Sequence, residues 1–228
     1  QYILSPSPPL TIGFISAIIG KLKGAKSIYN VQEIYPDLLI NHGSLKSKTI
    51  IRILRRLERW IYSQSDMIIT IDQFFYNKII DRFKDANKLK IIPNFVDTEL
   101  YHPMPSENKW SQQWLNKNDT IRILYAGNIG YAQDWEPVIY AANKLRNENI
   151  EFWIIGEGIM KEELSDKKSE LKLDNIVLLP YQDREYMPMI NAYGDIHFIA
   201  MSPEMEQDGF PSKVYTIMAC AKPLIVIS

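Results

Sequence analysis

Short β-rich runs alternate with segments of helical apolar spacing along nearly the whole chain. This alternation limits the folds open to it more than any other feature. The runs are Tyr2–Ser5, Lys26–Val31, Met67–Ile71, Leu89–Ile92, Ile121–Ala126, Glu151–Ile155, Asn175–Leu179, Ile196–Ala200 and Leu224–Ile227. Between them, apolar residues recur about every 3.6 positions in Leu10–Leu22, Lys48–Ser63, Phe74–Phe83, Glu136–Arg146, Lys161–Leu173, Arg184–Ala192 and Ser212–Ala221. Strands separated by helices of this length pair in parallel through crossovers, so the spacing predicts an α/β chain of βαβ units with sheets covered on both faces. An apolar share of 46% over 228 residues supplies the core such sheets need and excludes a disordered chain.

The alternation is interrupted once. Pro93-Asn94-Phe95-Val96-Asp97 is followed by Pro103, Pro105 and the polar stretch 110–120 before the next strand begins. Charge changes sign at the same place: residues 1–98 carry 14 Lys and Arg against 8 Asp and Glu, and residues 99–228 carry 12 against 19. Two Rossmann-like domains, 1–98 and 99–228, are therefore expected, with ligands bound beyond the carboxyl ends of their strands. The chain opens in one strand and stops in another, as a piece of a longer two-domain protein truncated at both ends would. Its net charge of -1 excludes a general nucleic-acid binder. Cys220 is the sole cysteine and sits among apolar neighbours, which precludes an internal disulfide and fits a reducing, cytoplasmic compartment. No Cys/His cluster has zinc-ligand spacing, and no apolar run approaches the ~20 residues of a membrane span.

Two segments carry candidate chemistry. In Ile121-Arg-Ile-Leu-Tyr-Ala-Gly-Asn-Ile-Gly, a buried strand runs into Gly127 and Gly130 and then a helix, offering backbone N–H groups to an anion. The Gly-x-x-Gly spacing lacks the third glycine of the dinucleotide fingerprint, so a tight turn and a phosphate cradle remain equally open. In the second segment an acidic loop precedes Pro211, Ser212 and Lys213 in the first turn of a helix. Ser212 and the free N–H groups there suit a phosphate, with Lys213 adding charge; a simple cap and a solvated lysine are the plainer alternative.

Four motifs in fixed order then decide the comparison: Pro93-Asn-Phe-Val-Asp, Ala126-Gly-Asn-Ile-Gly-x-Ala-Gln, Ile155-Gly-Glu-Gly, and Pro211-Ser-Lys-x-Tyr-x-Ile-Met-Ala-x-x-Lys-Pro. With them the chain resembles the retaining GT-B glycosyltransferases of family 4 (glycosyltransferase group 1). It is most similar to the branch that transfers amino sugars in bacterial capsule and O-antigen synthesis. Val31-Gln-Glu-Ile-Tyr-Pro-Asp resembles that branch's Arg-Asp-Leu-Trp-Pro-Asp/Glu segment and places Glu33 and Asp37 on the acceptor side.

The resemblance implies a C-terminal domain that binds a nucleotide-sugar donor, expected to be UDP-linked and to carry an N-acetylated amino sugar. The N-terminal domain would receive a lipid-linked or oligosaccharide acceptor. Transfer would retain configuration without a metal or other cofactor. Most of the family hold the diphosphate with an Arg and a Lys five residues apart, but those positions here read Asn128 and Gln133. The family's two glutamates fall on Asp208 and Thr216, so the usual ribose carboxylate is replaced by one hydroxyl. The amino-sugar branch shares this pattern. By resemblance Lys213 serves the diphosphate, Ser212 beside Pro211 a phosphate, and Asp208 the sugar ring; Gly127 and Gly130 line the donor site. The base falls near Pro180–Gln182, centred on Tyr181, with Met187 against its face.

In Lys46–Tyr62 the apolar residues Ile50, Ile53, Leu54, Leu57, Trp60 and Ile61 share one helical face. Lys48, Arg52, Arg55, Arg56 and Arg59 line the other, opposed only by Glu58. An ordinary sheet-packing helix and a basic face lying on anionic lipid at the inner side of the cytoplasmic membrane both fit this pattern. Two other activities fit the architecture: a UDP-N-acetyl-sugar 2-epimerase, and a non-catalytic nucleotide-sugar-binding subunit. An NAD-binding Rossmann protein is disfavoured by the missing third glycine.

Overall fold

A computed structural model describes residues 1–41, 43–114, 120–203 and 211–227. These divide into two units, Gln1–Asn94 and the residues from Phe95 onward.

In the first unit, strands β1 (Tyr2–Ser7), β2 (Lys26–Val31), β3 (Met67–Thr70) and β4 (Leu89–Ile91) form one parallel sheet in the order β1-β2-β3-β4. Helix α1 (Leu10–Lys23) connects the first two strands, and α4 (Gln73–Phe83) the last two. Between β2 and β3 run α2 (Asp37–Asn41), which the sequence pattern does not reveal, and α3 (Lys48–Gln64). Local chemistry marks the helix ends. The Asp72 carboxylate caps α4 by accepting from the Phe75 N–H at 2.7 Å, and α1 stops at Gly24, whose φ of 64° is left-handed. Tyr29, Val31, Ile61, Tyr62, Ile68, Phe75 and Ile79 form the core.

The second unit holds β5 (Ile121–Ala126), β6 (Ile150–Ile155), β7 (Ile176–Leu179), β8 (Ile196–Ala200) and β9 (Leu224–Ile227), all parallel, in the order β7-β6-β5-β8-β9. Strand order reverses between β5 and β8, the switch point at which such sheets bind ligands. Both faces are covered, as near-continuous apolar strands require. Helices α5 (Glu136–Lys144) and α6 (Lys161–Leu171) pack over Tyr125, Phe152 and Ile154. On the opposite face Leu124, Trp153 and Ile155 meet Ile190 and Tyr193 of α7 (Met187–Tyr193).

Trp110 corrects the reading of 110–120 as a polar connector. It is buried, stacks edge-on against Trp153 and Tyr193 with centroids 6.5 and 5.5 Å away, and precedes a 3-10 turn over Ser111–Trp114. Two tryptophans among polar residues carry more burial energy than their neighbours' composition reveals. Residues 115–119 lie outside the described set.

Helix α3 also departs from the one-face pattern. Ile61, Tyr62 and the acidic Glu58 are buried, whereas Ile50, Ile53 and Trp60 are exposed.

Candidate functional site

The site is assembled where β5, β6 and β7 end. Gly127 directly follows β5 and Gly156 follows β6, and both have φ of 152°, a region that side chains rarely enter. Their backbones touch: a Cβ on Gly156 would strike the Gly127 carbonyl. The Gly127 N–H donates to the Ile155 carbonyl at 2.8 Å, and the Ile129 N–H donates to the Glu157 carbonyl at 2.8 Å. Glycine at both positions thus lets two loops interlock and leaves an opening above them. That opening is a cavity of about 280 Å³ lined by Gly127, Asn128, Ile155, Gly156, Glu157, Tyr181, Gln182 and Met187.

Lys213 reaches this point from helix α8 (Lys213–Ala219), which follows β8 in the chain. Its Nζ presses on the bare face of Gly127, where a Cβ would collide with it. It donates to the Tyr125 hydroxyl at 2.9 Å and lies 4.0 Å from that ring's centroid. Burial lowers its pKa to about 8. Among the described residues no carboxylate pairs with it. The arrangement is a partly desolvated cation, free to answer an incoming anion, beside backbone glycines and a cavity.

The neighbouring positions are more local in role. Ser212 precedes α8 as an exposed cap whose side chain makes no capping bond, so Lys213 rather than Pro211 opens the helix. The Thr216 hydroxyl donates to the Lys213 carbonyl at 2.9 Å, which leaves it acceptor capacity only. The Gln133 side-chain oxygen accepts from the Gly130 N–H at 2.9 Å and holds that turn. Asn128, Tyr181 and Met187 line the cavity with Gly127. Asp208 lies outside the described residues. Glu33 and Asp37 belong to the first unit: the Glu33 carbonyl accepts from the Ser7 hydroxyl at 2.6 Å, and Asp37 pairs with Arg82 and, at 3.4 Å, with Arg55.

Two residues of the site, Glu157 and Tyr125, carry no role in the sequence reading, and a third, Gln182, enters it only as the end of the Pro180–Gln182 stretch expected to meet the base. Gln182 lines the cavity and is oriented by Trp110, whose indole N–H donates to its side-chain oxygen at 3.0 Å. Glu157 lies within the Ile155-Gly-Glu-Gly motif, and Lys161, donating to it at 2.6 Å, holds its carboxyl below the usual range. Tyr125 is read from sequence only as a strand residue. The Ile155-Gly-Glu-Gly motif around Glu157 and the strand segment ending in Tyr125 and Ala126 were the available signals; Gln182 was marked only by its place in the stretch expected to meet the base. Among the described residues, no three of His, Cys, Asp or Glu are grouped so as to hold a metal ion.

The chain is 28% identical over 207 residues to WcaI of Escherichia coli K12, whose assigned role is colanic acid biosynthesis glycosyl transferase; the match covers 89% of this chain and 51% of that protein. It is also 28% identical over 233 residues to WbjE of Pseudomonas aeruginosa, assigned as a glycosyltransferase, covering 99% of this chain and 56% of the relative. The chain thus spans about half the length of the curated relatives it matches. Among solved structures, Anabaena HepE in complex with UDP superposes with a TM-score of 0.74 at 17% identity, over 98% of this chain and 59% of HepE. At that identity the likeness is one of fold, the paired α/β units of the GT-B class. The family 4 glycosyltransferase model matches residues 12–100, and the model described as glycosyl transferases group 1 matches residues 106–228. With more than half of its residues under the second model, and with the glycine-lined cavity and Lys213 inside that span, the chain belongs to the group 1 glycosyl transferases.

Proposed function

We propose that the second unit binds the diphosphate and base of a UDP-linked N-acetylated amino sugar. The sugar would pass, with retention of configuration, to a lipid-linked or oligosaccharide acceptor of a surface polysaccharide. The observation that carries this reading is the Lys213 ammonium seated on Gly127, a residue that lines the cavity. Tyr181, Gln182 and Met187 supply a partly apolar wall suited to a base. The UDP complex of HepE and the assigned role of WcaI in colanic acid biosynthesis support the choice of donor and acceptor class.

In this reading the bond from the anomeric carbon to the diphosphate breaks as the bond to the acceptor oxygen forms on the same face. The departing diphosphate oxygen takes the acceptor hydroxyl's proton. Such a step depends on stabilising the leaving charge and on positioning. With Asn128 and Gln133 neutral, Lys213 carries that stabilisation in place of the family's commoner pair, without a metal.

Calorimetric titration with UDP-, GDP-, ADP- and dTDP-sugars is expected to select UDP. Lys213→Ala should weaken UDP binding roughly ten- to hundredfold, as loss of a charge-assisted hydrogen bond does, while leaving uridine unaffected. Equal affinity of variant and parent for UDP overturns the assignment. Conversion of the donor sugar with no acceptor present would identify an epimerase instead.

The same proposal places the first unit on anionic lipid. Arg52, Arg56 and Arg59 are exposed on α3, and Ile50, Ile53 and Trp60 are exposed with them. A cationic helix that also presents apolar side chains is suited to a charged interface.

A further inference from the structure

The Tyr125 phenol is a buried polar group that the proposed chemistry leaves unused, and its surroundings fix it. The residue is 2% exposed; its ring packs edge-on against Trp135 with centroids 5.1 Å apart and lies tilted against Phe198 at 5.5 Å. Its hydroxyl donates to the Asn128 carbonyl at 2.6 Å and so has a lone pair turned to Lys213. A phenol held at both ends cannot follow the lysine; the lysine must come to it. An ammonium has three donors, and one is taken by Tyr125.

We propose that Tyr125 is a positioning residue for Lys213: its oxygen and ring face pin the ammonium against Gly127, leaving the other two N–H donors for an incoming diphosphate. This rests on the reading of the second unit as the donor site. Two physical consequences follow. Pinning a flexible four-carbon side chain before the ligand arrives removes an ordering cost from binding. The phenol oxygen also stabilises the charged form in a site where burial disfavours it, since the lysine titrates at about 8. Above that pH, binding of a diphosphate must draw a proton from solvent onto Lys213, and affinity should fall by up to about tenfold per pH unit.

The test uses the full chain, titrated with UDP from about pH 6.5 to 9.5, a window centred on that pKa. Tyr125→Phe keeps the ring and loses the oxygen. It should bind UDP roughly three- to tenfold more weakly near pH 8, and its decline should begin at lower pH than in the parent. Added to Lys213→Ala, it should cost nothing further. Titration of Lys213 itself, followed by NMR on reductively 13C-methylated lysines, should move to lower pH in Tyr125→Phe whether or not UDP is present. Parent chain that binds no UDP overturns the donor-site reading on which the proposal rests. Parent chain that binds UDP, with an unchanged Lys213 titration or a full additive loss in the double variant, overturns the positioning role alone.

Discussion

Gly127 holds two constraints that the sequence displays as one letter. Its φ of 152° tolerates a side chain poorly, and the space a Cβ would take is filled by the Lys213 ammonium. Gly127→Ala is therefore expected to act in two ways. Backbone strain should destabilise the chain by about 1–3 kcal/mol, read by urea denaturation. Eviction of Lys213 should weaken UDP binding about as much as Lys213→Ala does, read by calorimetry. A variant that binds UDP like the parent would show that the lysine's seat on Gly127 is dispensable. The glycines were legible as a turn next to a strand; that the turn receives a lysine from 86 positions onward was not, because only the crossover through β8 brings α8 to that place.

At the scale of the element, α3 shows how a correct periodicity can leave burial undecided. The helix runs within a residue of its expected ends, yet it buries Glu58 and exposes Ile50 and Ile53. The reason is a partner on another helix: Arg82 of α4 lies 3.3 Å from both Glu58 carboxylate oxygens, and the Tyr62 hydroxyl donates to Glu58 at 3.0 Å. Burial outweighs these and pushes the Glu58 carboxyl up from 4.5 to about 7. A carboxyl that binds its proton more tightly folded than unfolded contributes stability that is fully present below about pH 4.5 and lost as pH rises through about 7. The effect is on the order of 3 kcal/mol. Denaturation profiles across this window should accordingly be flatter for Glu58→Gln than for the parent. Parallel profiles would mean that the carboxyl ionises normally.

For the molecule as a whole, charge is unevenly divided, and the basic excess lies in residues 1–98. Arg55 pairs with Asp37 at 3.4 Å, which leaves Arg52, Arg56 and Arg59 as the other exposed arginines of α3. Changing these three to Gln should lower co-sedimentation with phosphatidylserine vesicles at low salt, by about 1 kcal/mol per charge. UDP binding should be unaffected. Equal sedimentation of parent and variant would return α3 to a solvated helix. No helix among the described residues is long and apolar enough to cross a membrane. What the sequence by itself determined is the order and kind of nearly every element, because apolar periods of two and 3.6 are local properties of strands and helices. The four ordered motifs likewise disclosed the family before any coordinate. Tertiary structure alone decided that Trp110 is core, that Glu58 turns inward and that Lys213 meets Tyr125 and Gly127. Each of these depends on a partner distant in sequence, and pairing across such distances is written in packing rather than in any local pattern.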